Sequence, residues 1–293
     1  MTEGRIIKAL SGFYYVKTGD EVYQCRGRGN FRKKKISPLV GDKVTYEAEN
    51  PTDGYILSIG ERRNELNRPP IANVDQAILV FSSLEPNFDD LLLDRFLVHI
   101  ESHAINPLIC ITKLDLVNEE EKNMILAHAD LYRRIGYTVL LTSSETGEGI
   151  NVLRPFLDEH ISVVAGQSGV GKSSLLNALD TTFNILTDSI SSSLGRGKHT
   201  TRHVELLPVG TGYVADTPGF SSLEFSKIEA DELAGCFREM DRLSSECKFR
   251  GCTHLTEPGC AVKAGLQDGT VSKSRYSHYK QFYDEIKSRK RRY

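Results

Sequence analysis

No stretch of this 293-residue chain reads as a secretory signal or a membrane span, no internal repeat is visible, and no long low-complexity region interrupts it. A cytoplasmic, reducing setting is therefore expected, without a membrane partner, and its six cysteines are not expected to pair as disulfides. An excess of charge is missing too: the formal net charge is −2, which excludes a uniformly basic nucleic-acid binder. Any contact with RNA must come from local patches. At 39% apolar residues, the length supports more than one compact domain.

Against that plain background stands Gly166-Gln167-Ser168-Gly169-Val170-Gly171-Lys172-Ser173, a complete G-x-x-x-x-G-K-[ST] phosphate loop. Its glycines let backbone N–H groups curl around phosphate oxygens, and the helix that follows turns its positive end to the same anion. The apolar run Ile161–Ala165 reads as the strand before it and Ser173–Leu179 as the helix after it, with Ser174 in the first turn. Lys172 is placed to reach the β- and γ-phosphates and the Ser173 hydroxyl to ligate Mg²⁺. A chance Gly-rich turn is the bland alternative.

Three more segments fit around this loop. Asp216-Thr217-Pro218-Gly219 ends the apolar strand Gly212–Ala215; its carboxylate suits Mg²⁺, directly or through water, and the Gly219 N–H suits a γ-phosphate. Between them lies the polar stretch Ser189–His203, read as a mobile loop, in which Thr201, or else Thr200, completes the Mg²⁺ shell. Thr112-Lys113-Leu114-Asp115 closes the strand Pro107–Thr112. Guanine presents N1–H and a 2-amino group side by side, so the single carboxylate of Asp115 selects guanine over adenine, while the Lys113 stem lies over the base. Thr142-Ser143-Ser144, after the strand Thr138–Leu141, supports the base edge. A solvated strand-end Lys and Asp, and an ordinary flexible linker, are what these segments would be in isolation.

The order is unusual. The base reader precedes the phosphate loop, whereas an ordinary GTPase has them the other way round. The set resembles the bacterial circularly permuted GTPases that depend on the small ribosomal subunit, the GTPase A family of ribosome biogenesis, over essentially the whole chain. The resemblance implies GTP hydrolysis with Mg²⁺, stimulated by the small ribosomal subunit late in its assembly, and contact with its rRNA. A rival from another class is a nucleotide-gated RNA-binding module whose hydrolysis is incidental. Phe220 stands where many GTPases place the Gln that orients the attacking water. His199, two residues before Thr201, is the candidate for that role; the alternative is a surface histidine in a basic loop. Permutation also runs the segment after Gly219 directly into the C-terminal part, so a nucleotide-dependent shift there is expected to reorient a whole domain.

Both flanks carry signals of their own. Five short strands, Arg5–Ala9, Gly12–Val16, Glu21–Cys25, Asp42–Tyr46 and Tyr55–Ile59, predict a small OB-like barrel. Arg26, Arg28, Arg32, Lys33, Lys34 and Lys35, with Phe31 among them, suit RNA phosphates and a stacked base, or else form a solvated hairpin tip. Near the other end, Cys247, Cys252, His254 and Cys260 are spaced C-x4-C-x-H-x5-C. Three thiolates and an imidazole suit one structural Zn²⁺, and the resembled family carries a similar zinc motif. Cys25, Cys110 and Cys236 lie apart and read as packing residues. Helices are expected near Ala230–Leu243 and Ser272–Arg289, and the basic tail Lys287–Arg292 either touches RNA or frays. The expected architecture is a multidomain monomer: an OB-like β-barrel over residues 1–66, a circularly permuted α/β P-loop GTPase over 67–221, and a helical zinc-binding domain over 222–293. The segment Arg63–Pro70 is expected to be a linker.

Overall fold

A computed structural model describes residues 1–29, 31, 36–67, 69–180, 183, 204–216, 223–225 and 228–289, with the backbone alone at Asp216. His199, Thr200, Thr201, Gly219, Phe220, the basic residues Arg32–Lys35 and the tail from Lys290 lie outside the described residues.

The five strands expected in the N-terminal region are present as β1 (Thr2–Leu10), β2 (Phe13–Thr18), β3 (Glu21–Gly27), β4 (Lys43–Ala48) and β5 (Gly54–Ile59). Each alternates inward and outward residues, and Ile6, Val16, Cys25, Val44, Tyr46 and Ile56 fill the interior. Pairing runs β1-β2-β3-β5-β4 and returns to β1 through Thr2↔Tyr46 and Arg5↔Lys43, which closes the barrel. The expected linker after it is instead a hairpin. Strand β6 (Glu65–Asn67) pairs with β7 (Pro70–Ala72), because Leu66 and Ile71 are apolar partners that bury together.

The central sheet uses β8 (Gln76–Ser82), β9 (Asn106–Thr112), β10 (Thr138–Leu141), β11 (Ile161–Ala165), β12 (Glu205–Val209) and β13 (Gly212–Asp216), in the order β10-β9-β8-β11-β13-β12. All these pairings are parallel except that of β12 with β13. Strand β8 is buried at every position, as expected of a strand covered on both faces. Leu79 and Phe81 face helices α1 (Asp90–Glu101) and α2 (Glu119–Ile135) through Leu93, Leu97, Ala129 and Tyr132. Ile78 and Val80 face α3 (Ile150–Leu153) and α4 (Lys172–Leu179) through Leu153, Leu175 and Leu179. The ends of α2 are set by local chemistry: Asn118 and Glu121 form a reciprocal capping box, and Gly136 leaves the helix in the left-handed region. Barrel and sheet meet where β1 pairs with β12 at Lys8↔Glu205, joined by an ion pair of 2.8 Å.

The C-terminal region holds α5 (Arg238–Ser244), α6 (Ala261–Asp268) and α7 (Lys273–Ser288). The helix expected over Ala230–Leu243 is interrupted. A 3₁₀ turn at Leu233–Cys236 stops at Phe237, whose extended backbone (φ −114°, ψ 100°) starts α5 afresh. The break sends the Phe237 ring into the core, 4.6 Å beneath the Arg275 guanidinium and edge-on to Tyr279. Among the described residues no helix is long and apolar enough to cross a membrane.

These helices are fastened to the central sheet by buried charge. Arg275, 1% exposed, binds Asp94 of α1 at 2.5 Å and both oxygens of Glu239 at 2.7 and 2.9 Å. Asp94 also accepts from Tyr132 of α2 at 2.8 Å and bonds His278 at 2.6 Å. At the rim, Arg95 chelates Glu285 beneath the Phe225 and Phe282 rings, and Arg238 binds Glu101 at 2.6 Å. Removing the cation of such a cluster strands two buried carboxylates. Arg275→Ala is therefore expected to lose about 3–5 kcal/mol of stability in urea unfolding. Burial pulls the His278 pKa down, but the hydrogen bond to Asp94 and the charges of Asp94 and Asp90 outweigh it, so the net direction is up from 6.5. Its contribution is fully present below the unfolded value of about 6.5 and is lost as pH rises through the higher folded value. The stability gap between the native chain and His278→Gln should thus narrow as pH is raised, which denaturant titrations across that range will measure.

Candidate functional site

Parallel register delivers four loops to one edge of the central sheet. Ser82 lies opposite Thr112, Leu79 opposite Ala165, and Leu141 opposite Ile111, so the segments after β8, β9, β10 and β11 leave side by side. The phosphate loop leaves β11 through Gly166 at φ +147°, where a Cβ would stand 2.1 Å from the Val80 carbonyl oxygen. Gly169 (φ +80°) and Gly171 (φ +88°) carry the chain round to α4. Lys172 is 7% exposed and folds over the loop, donating to the carbonyls of Gly166, at 2.9 Å, and Gln167. Burial lowers its pKa, and Ser173 beside it is 5% exposed. Gln167, Ser168 and Gly169 form the open lip of the loop, while Val170 is buried beneath it and Ser174 is half-buried on α4.

The base-reading segment is tied to that loop. Thr112 is 2% exposed, and its hydroxyl lies 2.6 Å from the Val170 carbonyl and 3.2 Å from that of Phe81. Its hydroxyl thus faces the protein backbone rather than the open cleft. Lys113 turns through the left-handed region at φ +60° and donates its ammonium to the Glu85 carbonyl. Leu114 is buried and bonds the Thr142 carbonyl, while Asp115 is exposed. Ser143, fully buried, donates its hydroxyl to Asp115 Oδ1 and accepts the Thr146 N–H at 3.1 Å. One carboxylate oxygen is thereby held, and the carboxyl is aimed. The backbone of Asp216 sits at the end of β13, whose Ala215 is in register with Val163 of β11, so this strand ends beside the phosphate loop. Strand β8 and the Ser82-Ser83 pair at its end belong to none of the motifs that the sequence displays. The five-residue apolar run Ala77–Phe81, followed by two serines, was the available signal.

The second site is compact. The ligand atoms of Cys247, Cys252, His254 and Cys260 all lie within 4.8 Å of one another. Cys247 Sγ is 4.0 Å from Cys260 Sγ and 3.6 Å from His254 Nδ1, and Nδ1 is 3.4 Å from Cys260 Sγ. Bonds of about 2.3 Å from Zn²⁺ to sulfur give a tetrahedral edge near 3.8 Å, so these atoms fit the ion, whereas a disulfide needs about 2 Å. The imidazole is prepared for this: burial lowers its pKa, and Ser244, which donates to the Met240 carbonyl at 2.7 Å, accepts from Nε2 at 3.2 Å, freeing Nδ1. The loop is held by Glu257, whose carboxylate accepts from the Thr253 hydroxyl and the N–H groups of Thr253, Leu255 and Thr256. Those bonds, the Thr253 hydroxyl first, keep its pKa down at about 2. Tyr276 and Tyr279 of α7 pin the carbonyls of His254 and Thr253, each at 2.7 Å. Cys25, Cys110 and Cys236 are buried and lie outside the four-ligand cluster.

Comparison with known proteins places these features in context. Residues 59–226 match the model of the RsgA GTPase family, and residues 3–56 match that of the RsgA N-terminal domain. A Bacillus cereus protein named small ribosomal subunit biogenesis GTPase RsgA is 61% identical over 293 residues, covering all of both chains. A protein of the same name from Bacillus subtilis (strain 168) is 57% identical over 298 residues, again over both full lengths. Among solved structures, YloQ, described as a circularly permuted GTPase, superposes with a TM-score of 0.87 at 54% identity, covering 100% of this chain and 97% of that one. YjeQ from Thermotoga maritima superposes with a TM-score of 0.87 at 35% identity, covering 98% and 99%.

The cysteine cluster generates a direct test. Elemental analysis of the purified chain should give one zinc per chain, and Cys260→Ser should lose it. Chelation should melt the near-UV signal of the tyrosines packed around the loop, because metal binding and folding are coupled.

Proposed function

The chain belongs to the RsgA GTPase family and is a GTP hydrolase; from that premise we propose that it acts late in assembly of the small ribosomal subunit, in the cytoplasm, as a monomer whose hydrolysis that subunit stimulates. The observation that carries this reading is the meeting of a base-reading loop and a phosphate loop at one sheet edge, joined by the 2.6 Å bond from Thr112 to Val170. The relatives' name supports the partner.

In the proposed mechanism Asp115, held by Ser143, takes the two guanine donors, and Lys113 covers the base. Leu114 and Thr112 shape the loop from below. Gly166, Gln167, Ser168, Gly169, Val170 and Gly171 surround the phosphates with backbone N–H groups, helped by the first turn of α4 through Ser174. Lys172 moves its ammonium from the loop carbonyls to the β- and γ-phosphates. Mg²⁺, held by Ser173, Thr201 and Asp216, would neutralise charge that develops on the transferred phosphoryl group. Gly219 offers its N–H to the γ-phosphate, and His199 orients the attacking water or takes its proton. Zinc in the Cys247, Cys252, His254 and Cys260 cluster is structural, since four protein ligands leave no open position.

The flanks serve the RNA side of this reading, with domains proposed at 1–66, 67–221 and 222–293. On the barrel's outer surface the Arg26 guanidinium stacks 4.9 Å over Phe13, and Lys8 lies 5.9 Å from the Tyr15 ring. Cations paired with aromatic faces suit rRNA phosphates and bases. The test is GTP turnover across a titration of purified small and large ribosomal subunits. Stimulation by small subunits alone is expected, and His199→Ala should lose it while keeping nucleotide affinity. Flat turnover in both titrations would favour a nucleotide-gated RNA-binding module instead.

A further inference from the structure

The base-reading loop rests on a segment that neither its motif nor its strand contains. Lys113 is a non-glycine residue at φ +60°, ψ 36°, a conformation that persists only where its surroundings over-determine it. The determinants are visible. Ser83, 6% exposed, grips two successive carbonyls: its N–H donates to Thr112 O at 3.0 Å and its hydroxyl to Lys113 O at 2.9 Å. Two residues on, the Glu85 carbonyl takes the Lys113 ammonium. Pro86 then lies against the phosphate loop, its Cδ 4.0 Å from where a Cβ on Gly169 would stand. Ser82, in register with Thr112, turns its own hydroxyl to the Leu84 carbonyl and so shapes the segment that carries these groups.

The two bonds from Ser83 have different consequences. The N–H bond continues the ladder between β8 and β9 and would be made by any residue other than proline. The hydroxyl bond is made one peptide further on, beyond the last strand residue, to the carbonyl of the left-handed residue itself. It fixes the plane of the Lys113–Leu114 peptide, and that plane sets the direction in which the chain leaves toward Asp115. The same carbonyl also accepts the Leu116 N–H at 3.0 Å, a local backbone bond, and from the other side the Leu114 N–H bonds the Thr142 carbonyl at 3.4 Å. Among the described hydrogen bonds, Ser83 is the one side chain that fixes the peptide following Lys113.

We infer that Ser83 is a positioning residue for guanine recognition: its hydroxyl sets the left-handed turn at Lys113 and thereby the aim of the Asp115 carboxylate. It touches no substrate atom and acts through Lys113. The inference rests on Asp115 being the guanine reader, as proposed above.

The test compares affinities for GDP and IDP in the full-length chain. Inosine lacks the 2-amino group, so the ratio of the two constants reports the second hydrogen bond of a bidentate carboxylate. Ser83→Ala is expected to weaken GDP binding by roughly three- to tenfold and to reduce the preference for GDP over IDP, because one well-aimed hydrogen bond is at stake. Ser83→Thr, which restores a hydroxyl, should recover most of the preference. A purely structural role would lower the melting temperature and leave the ratio where it was. Ser83→Cys, nearly isosteric with a weaker donor, gives the same reading if the alanine variant does not fold. An unchanged ratio in a folded Ala or Cys variant overturns the inference. Asp115→Asn separates the two readings: if it lowers the ratio while the Ser83 variants do not, only Ser83's role fails. If Asp115→Asn also leaves the ratio unchanged, the assignment of the base reader fails with it.

Discussion

One buried hydroxyl joins the two halves of the candidate cleft. Thr112 sits at the last position of β9, and its hydroxyl, 2.6 Å from the Val170 carbonyl and 3.2 Å from that of Phe81, links this strand to the phosphate-loop motif and to the strand between them. These segments are 58 and 31 residues away in the chain. A hydroxyl is a short tether with one proton, so it fixes distance more than energy. Base and phosphates of one nucleotide are joined by a short tether, and a cleft that recognises both holds its two halves within that reach. The parallel register brings the strand ends together, and Thr112 trims the remaining freedom.

How much of this was legible in the sequence follows from how local each feature is. The phosphate-loop motif, the T-K-x-D segment and the C-x4-C-x-H-x5-C cluster are short motifs in which spacing largely specifies geometry, and the structure brings their described members together. The five barrel strands were readable because each alternates over a few residues. The break at Phe237 was not, since its cause is a guanidinium 38 positions on that needs a ring beneath it. The hairpin at Leu66 and Ile71 was hidden by polar and proline neighbours that look like a linker. Ser83 carries no motif at all, and its meaning exists only once β8 lies beside β9.

Permutation suggested a C-terminal domain that swings with nucleotide state. The observed contacts constrain how that can happen. A swing of the three C-terminal helices away from α1 and α2 would have to expose Arg275 together with Asp94 and Glu239, and break the Arg95 and Arg238 ties as well. That contact behaves as part of one body. The barrel joins the central sheet through Lys8 and Glu205 on β12, and through the Ala72 N–H on the Val40 carbonyl and the Asn73 amide on the Gly41 carbonyl, over a shared apolar core.

The buried cluster also bears on how the chain is made. Asp94 is synthesised in the first third of the protein, yet its cation arrives 181 residues later and His278 three residues after that. Until then α1 carries a carboxylate that cannot be buried without large cost. The ribosome releases the N-terminal parts first, so the face of α1 and α2 must stay solvated until the final helix emerges. Helix α7 thus finishes the burial of a face that α1 and α2 leave open.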